Sequence, residues 1–267
     1  MLLVLSAAVI LSVAAGEAAL PVTTWTAGLN RTVHQLRTLT GAPEAVCPRL
    51  LSFGGSCMCA FSDRADLSAQ TVQFDRHVSG RRELCVGGAF LRPDRCSVLS
   101  LQSGTVSGEQ RRLADALTSF GCADGQVALV SPAAEEQLRW ERFSLRRLMR
   151  RRGLARLDVL DVSVEGREQA VLAEVVAAAV SPRQVSLTVV LDRGQAEGDE
   201  STFREERLGE YVLLLRQLRA AGYRLASYNA NGRCVEYLLR RTGLCAPVYF
   251  DSTWVLASDR AAERQTE

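Results

Sequence analysis

The ten residues LDVLDVSVEG, Leu157 to Gly166, are a compact apolar run closed by an acid and a glycine. They follow a basic amphipathic segment and precede an apolar one, and a short apolar run held between two helices reads as a buried parallel strand. In open α/β sheets, ligands collect at the carboxyl ends of the strands. Asp161, Ser163 and Glu165 are therefore carried toward the edge where chemistry is expected.

The surrounding text extends the pattern. Thr26 to Leu39 places Leu29, Val33, Leu36 and Leu39 at helical spacing, and Gly41-Ala42-Pro43 ends that helix. Cys96 to Gly104 predicts a strand and a glycine-containing turn, with a helix following through Leu117, and QVALVSP a second strand ending at Ser131-Pro132. Phe143 to Arg152 predicts a helix with Leu145, Leu148 and Met149 on one face and four arginines on the other, stopped by Gly153. Glu168 to Ala179 and Phe203 to Ala221 predict helices flanking a β-branched strand, Val185 to Asp192. Tyr223 to Tyr228 reads as a strand, Asn231-Gly232 as a turn and Cys234 to Leu239 as the antiparallel partner. Alternating strands and helices closed by a hairpin predict a doubly wound α/β sheet.

At 267 residues with 47% apolar content, the chain has enough material for one core of ordinary size. Its net charge of +2 argues against a dedicated nucleic-acid or polybasic membrane binder. All 32 basic residues are Arg, so lysine chemistry, Schiff bases included, is excluded. Leu2 to Ala15 is an apolar run matching a signal-peptide core and short for a membrane span of about 20 residues. It reads as a cleaved signal or, alternatively, as a single-pass anchor, which would be the chain's one membrane contact. Eight cysteines with only two histidines and no CxxC make structural zinc a poor fit and favour disulfides of the secretory pathway. The sequon Asn30-Arg31-Thr32 agrees with that compartment. The organisation expected is a signal or anchor over 1–15, a helix and Cys-rich cap over 16–95, the α/β domain over 96–258 and a polar tail over 259–267.

Ser144 to Glu168, SLRRLMRRRGLARLDVLDVSVEGRE, resembles the signature of the FkbM-type methyltransferase domain, in its animal methyltransferase-like protein 24 branch. Leu157-Asp158-Val159-Leu160 and Val164-Glu165-Gly166-Arg167-Glu168 carry the likeness. Further matches follow in order: Cys47, Phe53-Gly54-Gly55, Cys85, Cys96 to Ser100, Phe120-Gly121-Cys122, Tyr211 to Gly222 and Cys234-Val235-Glu236. The resemblance implies a class I, S-adenosylmethionine-dependent methyltransferase with a mostly parallel sheet and a C-terminal antiparallel hairpin. It implies a small molecule, a glycan or a protein as substrate. Glu165, with Ser163 and Asp161, stands where catalytic residues are expected, and Ser100, Gly104 and Ser131 stand where the cofactor would be held.

The chain departs from that pattern at points of chemical weight. The turn after the first strand retains only Gly104 of a glycine-rich motif. Ser131 replaces an acid expected to bind ribose hydroxyls by charge-assisted hydrogen bonds. Asp161 and Ser163 stand where the family has Lys and Asp. The 24 residues from Ala133 to Arg156 are short for the helix and third strand expected there, which predicts a sheet lacking one edge strand, either shed by the protein or lost with an exon absent from the gene model. Two readings follow: a methyltransferase of the secretory pathway, or a catalytically inactive descendant that keeps the fold as a binding module.

Overall fold

The computed structural model describes residues 22–57, 78–94, 96–102, 108–123, 126–130, 143–192, 203–230 and 234–257. Helix α1, Val22–Thr40, buries Leu29, Val33, Leu36 and Leu39 along one stripe. It stops at Gly41, where a side chain would bring Cβ to 2.6 Å from the Arg37 carbonyl oxygen. The sequon lies inside this helix, and the Asn30 Oδ1 atom is buried without a hydrogen-bond partner among the described residues. The loop presentation expected of a glycosylation site is therefore not found there.

Strands β1, Arg49–Cys57, and β2, Val78–Val86, form an antiparallel two-stranded sheet. The chain then continues through β3, Val98–Gln102, α2, Gly108–Phe120, β4, Val127–Val130, and α3, Leu145–Arg151. Next come β5, Val159–Ser163, α4, Glu168–Val176, β6, Gln184–Val190, and α5, Glu205–Ala220. It ends in β7, Tyr223–Ala230, α6, Glu236–Thr242, and β8, Tyr249–Leu256. The second sheet has the order β4-β3-β5-β6-β8-β7, and only β8 runs against its neighbours. The protein is thus an α/β structure with a mostly parallel six-stranded sheet and a small antiparallel one. Among the described residues β4 is an edge; residues 131–142, where a third strand was at issue, lie outside them.

One expected pairing is corrected. The antiparallel partner of β7 is β8 and not Cys234 to Leu239, whose residues mostly belong to α6; Cys234 makes only an isolated bridge to Pro247. The reason is legible afterwards: Val235 and Leu238 are buried at helical spacing, Glu236 opens the first turn and Arg240 and Arg241 close the last. Gly243, at φ 69°, then ends the helix in the left-handed conformation.

The two faces of the large sheet are chemically different. Leu99, Leu101, Leu160, Val162, Val185, Leu187, Val189, Phe250 and Trp254 line one face in a single core with residues of α1, α3, α4, α5 and α6. Burying each such side chain contributes about 1.5–3 kcal/mol. Because side chains alternate along a strand, the opposite face carries Ser100, Asp161, Gln184, Ser186, Thr188, Ser227, Asp251 and Thr253, all buried. Strand β2 lies over this polar face. The Gln184 carboxamide closes on the Cys85 backbone in both directions, accepting from its N–H at 2.8 Å and donating to its carbonyl at 2.7 Å. Ser227 donates to Glu83 at 2.5 Å, and Thr253 donates to the Glu83 carbonyl. The predicted N-terminal cap is in this way built into the α/β unit.

Three disulfides join described residues: Cys47 with Cys85, Cys96 with Cys122 and Cys234 with Cys245, at Cα separations of 5.2, 5.6 and 5.1 Å. They fit an oxidising compartment. No helix among the described residues is long and apolar enough to cross a membrane, and the expected signal or anchor over 1–15 lies outside them.

Candidate functional site

The carboxyl edge of the parallel strands is built around the end of β5. Gln102 and Ser163 are paired across β3 and β5 as the last residues of their strands, and both are half-buried. Beyond Ser163 the chain turns through Glu165 at φ 29° and Gly166 at φ 74°. A positive φ is natural for Gly166, where an added Cβ would also stand 3.3 Å from the Arg207 guanidinium. For Glu165 it is strained, and such residues gather at functional sites at a cost of about 1–3 kcal/mol each.

Glu168 opens α4 directly after this turn and is 2% exposed. Burial pushes its carboxyl above the usual 4.5, against the opposing pull of its own backbone, Tyr211, the Gly166 backbone and Arg207. Burial likewise raises the Tyr211 phenol, and the Glu168 charge adds to the effect. Tyr211 is close enough to bias the carboxyl, yet neither its hydroxyl nor Glu168 Oε1 completes a hydrogen bond among the described residues. A strained acid, a buried acid, a phenol and the Arg207 guanidinium thus meet at the end of one strand.

The expected site residues divide. Glu165 and Ser163 lie at this edge. Asp161 does not: it sits in mid-strand, 1% exposed, on the polar face. The Arg82 Nη1 atom donates to Asp161 Oδ1 at 2.9 Å and to Oδ2 at 3.1 Å, and the Ser100 hydroxyl donates to Oδ2 at 2.7 Å. Arg82 also approaches Asp251 at 3.4 Å, and Thr188 donates to the same Asp251 oxygen at 2.6 Å. Asp161 and Ser100 are therefore committed to joining the two sheets. Gly104 and Ser131 lie outside the described residues.

For S-adenosylmethionine the described residues fit in part. Ser100 is fully buried with its hydroxyl engaged, so it offers the group nothing. Gln102, Ser163 and Glu165, none of them without a partner of its own, carry amide, hydroxyl and carboxylate groups of the kinds that suit the cofactor's ammonium and ribose hydroxyls. The orphaned polar atoms of Glu168 and Tyr211 lie behind the same turn.

Sequence reasoning overlooked Gln102, Glu168, Tyr211, Arg207 and Arg82 as site or support residues. Glu168 carried a usable signal, an acid at the start of an apolar helix just after the strand. Arg82 carried none, because 79 residues separate it from Asp161. No family model, no curated protein and no solved structure matches this chain.

Proposed function

We propose that this chain is a class I methyltransferase-like protein of the secretory pathway, dependent on S-adenosylmethionine and acting on a hydroxyl or amine of a small molecule, glycan or protein. The observation that carries this reading is the strained Glu165 at the carboxyl end of β5, inside an open sheet whose one reversed strand lies near the C-terminal edge. The mostly parallel six-stranded sheet of the described residues is compatible with the arrangement the FkbM resemblance implies.

When bound, S-adenosylmethionine supplies an electrophilic sulfonium methyl group. The chain's own residues then do two things. Gln102 and Ser163 hold the polar end of the ligand at the strand edge. Glu165 orients the attacking hydroxyl or amine and takes its proton on a carboxylate oxygen. Arg207, over Gly166, fixes the turn that aims Glu165.

Calorimetry with S-adenosylmethionine on the oxidised protein tests this reading, together with transfer of labelled methyl groups to glycan and protein acceptors. Binding is expected, with Glu165→Gln keeping the affinity and abolishing transfer. Unchanged transfer removes Glu165 from the mechanism, and the absence of heat at millimolar ligand sinks the reading.

One observation favours a second reading, a non-catalytic binding module on the same scaffold. Ser100 and Asp161 are both spent on the buried contact with Arg82. That reading predicts no heat with S-adenosylmethionine.

A further inference from the structure

At the opposite, amino-terminal edge of the parallel strands lies a cleft of about 430 Å³ between α3, the start of β5 and the segment leading into β6. We propose that it is a binding site for a small amphipathic anion: a carboxylate, sulfate or phosphate carried on an apolar body. This proposal is independent of the methyltransferase reading, because the two sites flank opposite ends of β5.

Four arginines line the cleft, Arg146, Arg150, Arg156 and Arg183, against a single lining carboxylate, Asp158. Two of them are needed by the fold. Arg183 donates to the Ala89 carbonyl and stands 3.4 Å from Asp158 Oδ1. Arg146 donates to the Ala179 carbonyl at 2.6 Å, satisfying the chain end beyond α4, and its backbone N–H donates to Glu174 at 3.0 Å.

The other two are surplus to the fold. Arg156 is half-exposed and reaches Asp158 Oδ2 only at 3.7 Å, while that oxygen already accepts the Ser97 N–H at 2.9 Å. Arg150 is exposed, and its guanidinium makes no hydrogen bond or ion pair among the described residues. Arg147 and Arg151, also exposed on α3, add to the positive field. With a net charge of +2 for the whole chain, this density of guanidinium is a local feature and not a reflection of a basic protein.

The floor decides what kind of anion fits. Met149, Leu154, Leu157 and Val180 supply buried apolar surface, which a sulfated polysaccharide would leave unused. The volume lies within the roughly 300–1,000 Å³ of small-molecule pockets. Guanidinium forks at the rim suit a planar or tetrahedral oxyanion, and apolar side chains below suit a ring or short acyl chain.

Calorimetry on the oxidised protein with 1-naphthyl sulfate, 1-naphthyl phosphate, 1-naphthol and inorganic sulfate tests the assignment. Both naphthyl anions are expected to bind roughly tenfold or more tightly than either naphthol or sulfate alone. The double variant R150Q/R156Q is expected to lose that advantage, while R147Q, on exposed helix outside the cleft, retains it. Three outcomes each overturn the proposal: naphthol binding as well as its sulfate, inorganic sulfate binding as well as the naphthyl anions, or R150Q/R156Q binding like the parent. Failure of all four probes to bind overturns it as well. Asp158 keeps Arg183 and the Ser97 N–H when Arg156 is replaced, and an unchanged unfolding transition of R150Q/R156Q confirms that its loss of binding is not a loss of fold.

Discussion

Glu165 and Ala178 are the two non-glycine residues with positive φ among the described residues, at 29° and 55°; Ala178 follows the end of α4, and Glu165 stands in the turn beyond β5 where the proposed chemistry is placed. Ala178→Gly relieves an ordinary helix-end turn and is expected to stabilise by about 1 kcal/mol. Glu165→Gly should stabilise by a similar amount while removing the proposed methyl transfer, read by denaturant unfolding beside the transfer assay. A loss of stability at Glu165 would show that the turn is held for packing. Glu168 gives a pH signature. Its folded pKa lies above its unfolded value, so the folded state holds a proton that the unfolded state releases, and its contribution to stability falls as pH rises from about 4.5 through the folded pKa. Glu168→Gln removes that slope, so its stability relative to the parent should grow with pH across the window; parallel curves would refute the buried acid. Glu165 was legible in the sequence because a strand end and an acid-glycine turn are local patterns. The commitment of Asp161 was not, since its partner arrives from β2.

At the scale of elements, hydrophobic spacing located the helices and strands from β3 to β7 to within a few residues. It failed at α6, where Cys234 to Leu239 offered too few apolar positions to separate a period of 2 from one of 3.6 and the preceding Asn-Gly suggested a hairpin. The Cys234–Cys245 disulfide spans 11 residues and closes around this short helix. Chain-entropy arguments assign such a loop about 3 kcal/mol. The double variant C234S/C245S should therefore lower stability by about that amount and speed hydrogen exchange in α6 first, leaving the β7–β8 ladder protected. Uniform loss of protection would mean that the helix is part of the global unfolding unit. The β1–β2 arm shows the other limit of sequence reading. Its cysteines and glycines marked a stapled region, but nothing local indicated that it would cover one face of the sheet.

For the whole molecule, the decisive contact is the buried cluster joining the two sheets, with Arg82 between Asp161 and Asp251. Removing one partner from a buried ion pair costs about 3–5 kcal/mol, because the remaining charge is left without compensation. Arg82→Met should accordingly cost about 3–5 kcal/mol in equilibrium unfolding and release the arm while the helical core persists. A change within about 0.5 kcal/mol would show that the arm is held by the Cys47–Cys85 disulfide and the backbone contacts alone. The α/β class was legible from alternation along the chain; the strand order was not, because it depends on crossovers and not on any single segment.

The division of the sheet into an apolar face and a polar one sets how each side can change. On the helical face, shape and volume are what matter, and one hydrophobic residue can replace another if its neighbours shift slightly. On the face beneath β2, beside the apolar Val98, Val159 and Val255, polar side chains such as Asp161, Gln184 and Thr253 are donors or acceptors addressed to particular atoms, and no residue of similar size repeats that pattern. Neighbouring residues of the same strand are therefore governed by different rules of substitution. A sequence drifting freely on one side would remain this protein, whereas a comparable drift on the other would unlatch the arm.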